Sequence, residues 1–73
     1  MIYSVTLNNI DRAIKFCKKA RLVDGDVLIR QQGTSNWIDA KSMICIFSLN
    51  LLEPLEVKIN KKQDKDCEFL MEF

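Results

Sequence analysis

The chain contains no histidine. That absence removes the commonest general base, the usual nitrogen ligand of metal sites, and the side chain that ordinarily carries phosphate as a phosphoramidate. Long apolar runs are missing too. Nothing approaches the ~20 residues a membrane span needs, and the opening MIYSVTLNN has neither a basic n-region nor a small-residue cleavage site. The expectation is a soluble, cytoplasmic, monomeric chain with no metal and no cofactor. An excess of one charge is also lacking: eleven basic and ten acidic side chains leave a net charge of +1. No strong field is available to hold nucleic acid through counterion release. Glycine (two) and proline (one) are scarce, and 48% hydrophobic against 29% charged residues is the balance of a folded globular chain.

The 73 residues suffice for one domain, residues 1–73, with one sheet layer and one helix layer. A domain of this size buries only ~60% of the surface its unfolded chain exposes, so its core is small. Cys17, Cys45 and Cys67 are odd in number, far apart and set among apolar residues. They read as reduced thiols packed as small hydrophobes, slow to react.

The segment IYSVTL (2–7) alternates, Tyr3, Val5 and Leu7 against Ile2, Ser4 and Thr6, and predicts a strand. Asn8-Asn9 supplies an N-cap. Ile10, Ala13, Ile14, Cys17 and Ala20 then recur at helical spacing, so an amphipathic helix is predicted to lie on the core and end near Leu22. Asp24-Gly25 marks a turn, and residues 26–40 read as a β-hairpin turning at Gly33-Thr34-Ser35-Asn36. A second helix is predicted from about Ser42 to Leu49, with Asn50 suited to the left-handed position that ends it. LEVKIN (55–60) alternates most regularly of all, and the tail KKQDKDCEFLMEF offers Asp64 or Asp66 as the cap of a short third helix. The order βαββαβα, with one-sided strands, is an α+β open-faced sandwich: a four-stranded, mainly antiparallel sheet with helices on one face.

That order, with AKSMICIFSL before PLEVKI, resembles the HPr family, the histidine-containing phosphocarriers of the bacterial sugar phosphotransferase system. The family writes the stretch close to A-K-S-I-M-G-x-M-S-L-G. Ala40, Lys41, Ser42, Ser48 and Leu49 match identically, and Met43, Ile44, Ile46 and Phe47 match in kind. The family's phosphorylation motif, G-[I/L]-H-A-R-P-A, corresponds here to LNNIDRAIKF, and three alignments place Asn9, Ile10 or Asp11 at the histidine position. Phosphocarrier chemistry through imidazole is therefore absent. Asn9 can only cap, and Asp11 reads as an acid complementing the helix dipole in preference to an acyl-phosphate acceptor. Cys45 stands where the family has glycine, the hairpin turn is longer, the first helix shorter and the third helix stops early.

The resemblance implies further site residues. A serine at the place of Ser42 is phosphorylated in the low-GC Gram-positive branch, where the added charge blocks transfer or recruits a regulator. From the sequence the cap-only reading of Ser42 is preferred, since capping alone explains the residue. Met43, Ile44 and Phe47 correspond to the family's apolar docking face, with Lys41 and Arg12 beside it. For Arg12 the reading from residues alone is a solvated helix arginine, the alternative a phosphate-binding one. For Met43 to Phe47 the docking reading is preferred, because a helix this apolar leaves some of its surface exposed. Trp37 either covers the sheet edge or sits in a contact. The function implied is a bacterial, non-catalytic, HPr-like module that binds phosphotransferase-system or carbon-regulation proteins. The alternative is an atypical component phosphorylated at Ser42 or on a non-histidine acceptor.

Overall fold

The structure is a computed structural model, described here for residues 2–60 and 69–73. Its elements run β1 (Ile2–Val5), α1 (Ile10–Arg21), β2 (Asp26–Gln31), β3 (Ile38–Asp39), α2 (Met43–Phe47) and β4 (Leu55–Asn60). One sheet has the order β1-β4-β2-β3, and each neighbouring pair is antiparallel. β4 lies centrally, so Val57 faces Tyr3 on one side and Ile29 on the other. The alternation read from the sequence decides which face is covered. Val5, Val27, Ile29, Leu55, Val57 and Ile59 are buried under the helices, joined by Ala13, Phe16, Cys17 and Ala20 of α1 and Ile46 of α2. This is the expected open-faced sandwich, and the LEVKIN strand has the predicted bounds.

On the face without helices, the antiparallel register sets Arg30 opposite Glu56, and their side chains pair at 2.9 Å. The Arg30 guanidinium and the Lys58 ammonium stack on the Trp37 ring at 4.2 and 4.7 Å from its centroid. Trp37 precedes β3 and covers the outer face of the sheet with these two cations.

Three local expectations are corrected. The stripe on α1 is rotated: Ile10 is 60% exposed and Ile14 half-buried, while Phe16, outside the expected stripe, is fully buried. Aromatic residues from the far end of the chain cause the rotation, since Phe69 and Phe73 pack on Phe16 with centroids 5.6 and 5.4 Å away. Second, the left-handed residue is Asn8 (φ 69°), not Asn50. Asparagine tolerates this conformation; β1 itself ends at Val5, two residues before the predicted limit, opposite Leu55, the first residue of β4 after Pro54. The Asn50 side chain instead accepts from Leu52 N–H at 3.1 Å. Third, the described part of the expected third helix is a 3₁₀ turn over 69–72; the cap candidates Asp64 and Asp66 lie outside the described residues.

Cys17 is fully buried, its Sγ 3.4 Å from the Lys41 carbonyl, and burial pushes its thiol pKa up, opposed in part by the Arg21 charge. Cys45 is half-buried and free; Cys67 lies outside the described residues. Since the thiolate is the reactive form, Cys17 should stay unmodified by a thiol reagent on the folded protein and react on denaturation. Peptide-mapped labelling under both conditions checks this, and rapid native labelling of Cys17 would contradict the packing of α1 against α2.

Candidate functional site

The chain reverses between β1 and α1 through a three-residue turn. Asn9 N–H donates to the Leu7 carbonyl at 2.8 Å across Asn8. The N–H of Asn8 donates to the Leu51 carbonyl at 2.9 Å, stitching this junction to the loop after α2. Asn9 then caps α1 as expected, its Oδ1 accepting from Arg12 N–H at 2.8 Å. Ile10 and Asp11 follow, both exposed. The three positions aligned with the family's histidine are thus a cap, an exposed aliphatic and an exposed acid in the first helical turn.

α2 is tied to α1 through Lys41, two residues before it. The Lys41 carbonyl accepts from Arg21 Nε at 2.9 Å as well as from Cys17, and the Lys41 ammonium donates to the Val23 carbonyl at 2.7 Å. Ser42 has extended backbone and its Oγ accepts from Cys45 N–H at 3.4 Å, so the expected cap is present. Ser48 closes the helix, its hydroxyl donating to the Cys45 carbonyl at 2.6 Å. Within α2 the apolar residues divide. Ile46 is buried, and Met43 packs against the core together with Leu49, whereas Ile44 is 83% and Phe47 46% exposed.

The five expected docking residues are therefore only partly brought together. Ile44 and Phe47 face solvent. Met43 sits on the core side because, at i and i+3, it shares the face of Ile46. Lys41 spends its amine on tying the α1–β2 turn to α2. Arg12 is not a solvated arginine: its Nη2 donates to the Thr6 carbonyl at 3.0 Å and to the Glu72 carbonyl at 3.3 Å, and its guanidinium lies 5.1 Å from the Phe73 ring centroid.

The structure adds two residues that periodicity missed. On α1, residues 10, 14, 17 and 21 form one flank at helical spacing, and Cys17 and Arg21 show that this flank faces α2. Ile10 therefore lies toward α2. Leu52, 74% exposed, follows the loop residue to which Asn8 is bonded. Ile10, Ile44, Phe47 and Leu52 are thus exposed apolar residues on the first turn of α1, on α2 and on the loop after it, whose residue Leu51 is bonded to the β1–α1 turn. Periodicity alone places Ile10 on the core, and Leu52 carries no periodic signal. Residues 42–52 include no charged side chain, while Lys15, Lys18 and Arg21 lie on exposed positions of α1. Among the described residues no cluster of ligand-type side chains could hold a metal, and no helix is long and apolar enough to cross a membrane.

Solved structures share this architecture. HPr-C-His from Thermoanaerobacter tengcongensis aligns with a TM-score of 0.79 at 14% identity, covering 99% of this chain and 88% of the other. The phosphocarrier protein HPr from Bacillus anthracis str. Ames aligns with a TM-score of 0.72 at 18% identity, covering 96% and 90%. The fold is HPr-like. No family model and no curated protein matches the sequence.

The cap at Ser42 makes a separable prediction. Ser42→Ala should destabilise the protein by about 0.5–2 kcal/mol, while Ser42→Asp, a good cap whose charge suits the helix N-terminus, should stay near wild type. Paired urea denaturation curves check this, and a loss for Asp as large as that for Ala would contradict a capping role.

Proposed function

We propose that this chain is a non-catalytic HPr-like module, a single domain that binds protein partners of the phosphoenolpyruvate-dependent sugar phosphotransferase system or of carbon regulation, as a cytoplasmic monomer. The observation that carries the reading is the exposed apolar group Ile10, Ile44, Phe47 and Leu52 beside a helix N-terminus that lacks an imidazole. Contiguous exposed apolar surface in a soluble protein is the usual mark of a contact site. The basic side chains Lys18 and Arg21 lie on the same side of α1 as Ile14, so the partner this surface fits presents an apolar pocket with an acidic rim. Ile44 and Phe47 are the anchors, and Lys41 supports the face through the Val23 carbonyl it holds; Arg12 is held on the other flank of α1 by the Thr6 and Glu72 carbonyls. Met43 contributes from below by fixing α2 on the core.

The test is a titration of the isotope-labelled chain with the general phosphotransferase enzyme of a phosphocarrier system. Amide shifts should concentrate at residues 10, 44, 47 and 52 and spare Arg30, Trp37 and Lys58 on the other face of the sheet. No shifts at any ratio, or shifts confined to the Trp37 face, would overturn the reading.

A second reading is favoured by the position of Ser42, partly exposed and one or two residues from Met43 and Ile44. Phosphorylation there would set roughly two negative charges at the edge of the docking face. The chain would then be an atypical phosphotransferase-system component switched at Ser42. A kinase of that system labelling wild type but not Ser42→Ala would support it.

A further inference from the structure

The flank of α1 that carries Arg12, Phe16 and Lys19 already holds a peptide. Residues 69–73 lie against it, with Leu70 buried and Phe69 and Phe73 partly buried. Phe16 meets Phe73 edge to face, 5.4 Å between centroids, and Phe69 at a tilt. Just beyond β1, Thr6 N–H donates to the Phe73 carbonyl at 3.0 Å. The Glu72 carboxylate pairs with the Lys19 ammonium, which holds its pKa below the usual carboxylate range, and the Glu72 carbonyl accepts from Arg12. Met71 points away, 89% exposed.

These are the contacts of a docked ligand: side chains set into an apolar seat, a main-chain bond next to a strand, and a charge pair fixing orientation. One donor in the seat remains unspent. Arg12 Nε is buried with no partner, although buried donors are ordinarily satisfied. The resident segment therefore leaves one donor of its seat unsatisfied.

We propose that Thr6, Arg12, Phe16 and Lys19 form a peptide-docking groove that residues 69–73 close as an internal ligand, and that its external partner is a peptide of the pattern aromatic, aliphatic, any residue, acid, aromatic. The groove lies on the other side of α1 from Ile10 and Ile14, so it stands or falls independently of the docking face on α2. A tethered occupant competes at an effective concentration on the order of millimolar. External binding should therefore be weak in the wild type and emerge when the tethered copy is weakened.

The experiment uses the full 73-residue chain as wild type, Phe73→Ala and Glu72→Lys, titrated by NMR with the synthetic peptide Phe-Leu-Met-Glu-Phe. At least one variant, natively folded by its spectrum, should bind the peptide tenfold or more tightly than wild type, with shifts at Thr6, Arg12 and Lys19 and none at Ile44. The peptide with Glu replaced by Lys should lose that gain. Should Phe73→Ala fail to fold, Glu72→Lys decides, because it releases the ion pair and leaves the aromatic packing in place. No gain in any folded variant, or a gain that the charge-reversed peptide retains, overturns the proposal.

Discussion

Phe16→Ala should cost about 3–5 kcal/mol, the usual range for truncating a buried aromatic residue. Phe16 is the largest fully buried side chain of the described residues and the one on which α1 and residues 69–73 meet. A chain of 73 residues has a total stability of roughly 4–11 kcal/mol at ordinary values per residue. The variant should therefore be marginal at room temperature, whereas Ile10→Ala, on an exposed position of the same helix, should stay within about 0.5 kcal/mol of wild type. Denaturant unfolding of the two variants checks both figures. Equal losses would mean that α1 is seated as its periodicity suggested, on Ile10 and Ile14, and not rotated onto Phe16.

Phe47→Glu should weaken partner binding by about 30-fold or more, which corresponds to 2 kcal/mol, the threshold of an interface hot spot. The substitution places a carboxylate where an apolar ring meets an apolar pocket with an acidic rim, so desolvation and like-charge repulsion act together. Stability should change little, because the ring is 46% exposed and Ile46 and Met43 seat the helix. Lys58→Ala, on the opposite face of the sheet, serves as the control and should leave affinity unchanged. Calorimetric titration of both variants against the phosphotransferase enzyme reads the contrast. An affinity for Phe47→Glu within twofold of wild type would remove α2 from the interface.

The parts of the structure legible in the sequence are those set by local chemistry. LEVKIN alternates without exception and forms a strand of those same bounds; Asn9 and Ser42 cap the helices because their short oxygen-bearing side chains reach the N–H three residues on. The element order then leaves few ways to cover a one-sided sheet. What could not be read depends on segments distant in the chain. The α1 stripe turns toward Phe16 because Phe69 and Phe73 arrive from more than fifty residues away. Arg12 reads as solvated and Lys41 as part of a docking face in the sequence, yet they are bound to carbonyls, Arg12 to those of Thr6 and Glu72 and Lys41 to that of Val23. Asn8 and Asn50 are equally able to take a left-handed conformation; the bond from Asn8 N–H to Leu51 goes with the choice of Asn8, while the Gln31 side chain bonds both main-chain groups of Asn50. At the site, the division of α2 into a core side and a solvent side was readable, but the membership of Met43 was not. Its spacing lets it share a face with Ile46 at i+3 or with Phe47 at i+4, and in the structure it packs on the core with Ile46.

The most direct measurement combines two readouts in one reaction: labelled phosphoenolpyruvate, the general phosphotransferase enzyme, an authentic histidine-containing phosphocarrier, and this chain in excess. A binding module without imidazole should take up no label while slowing transfer to the phosphocarrier, and Phe47→Glu should lift the inhibition. Stoichiometric label on this chain would contradict the non-catalytic reading and point to Asp11 as acceptor. No label and no inhibition at any excess would contradict the docking role of α2.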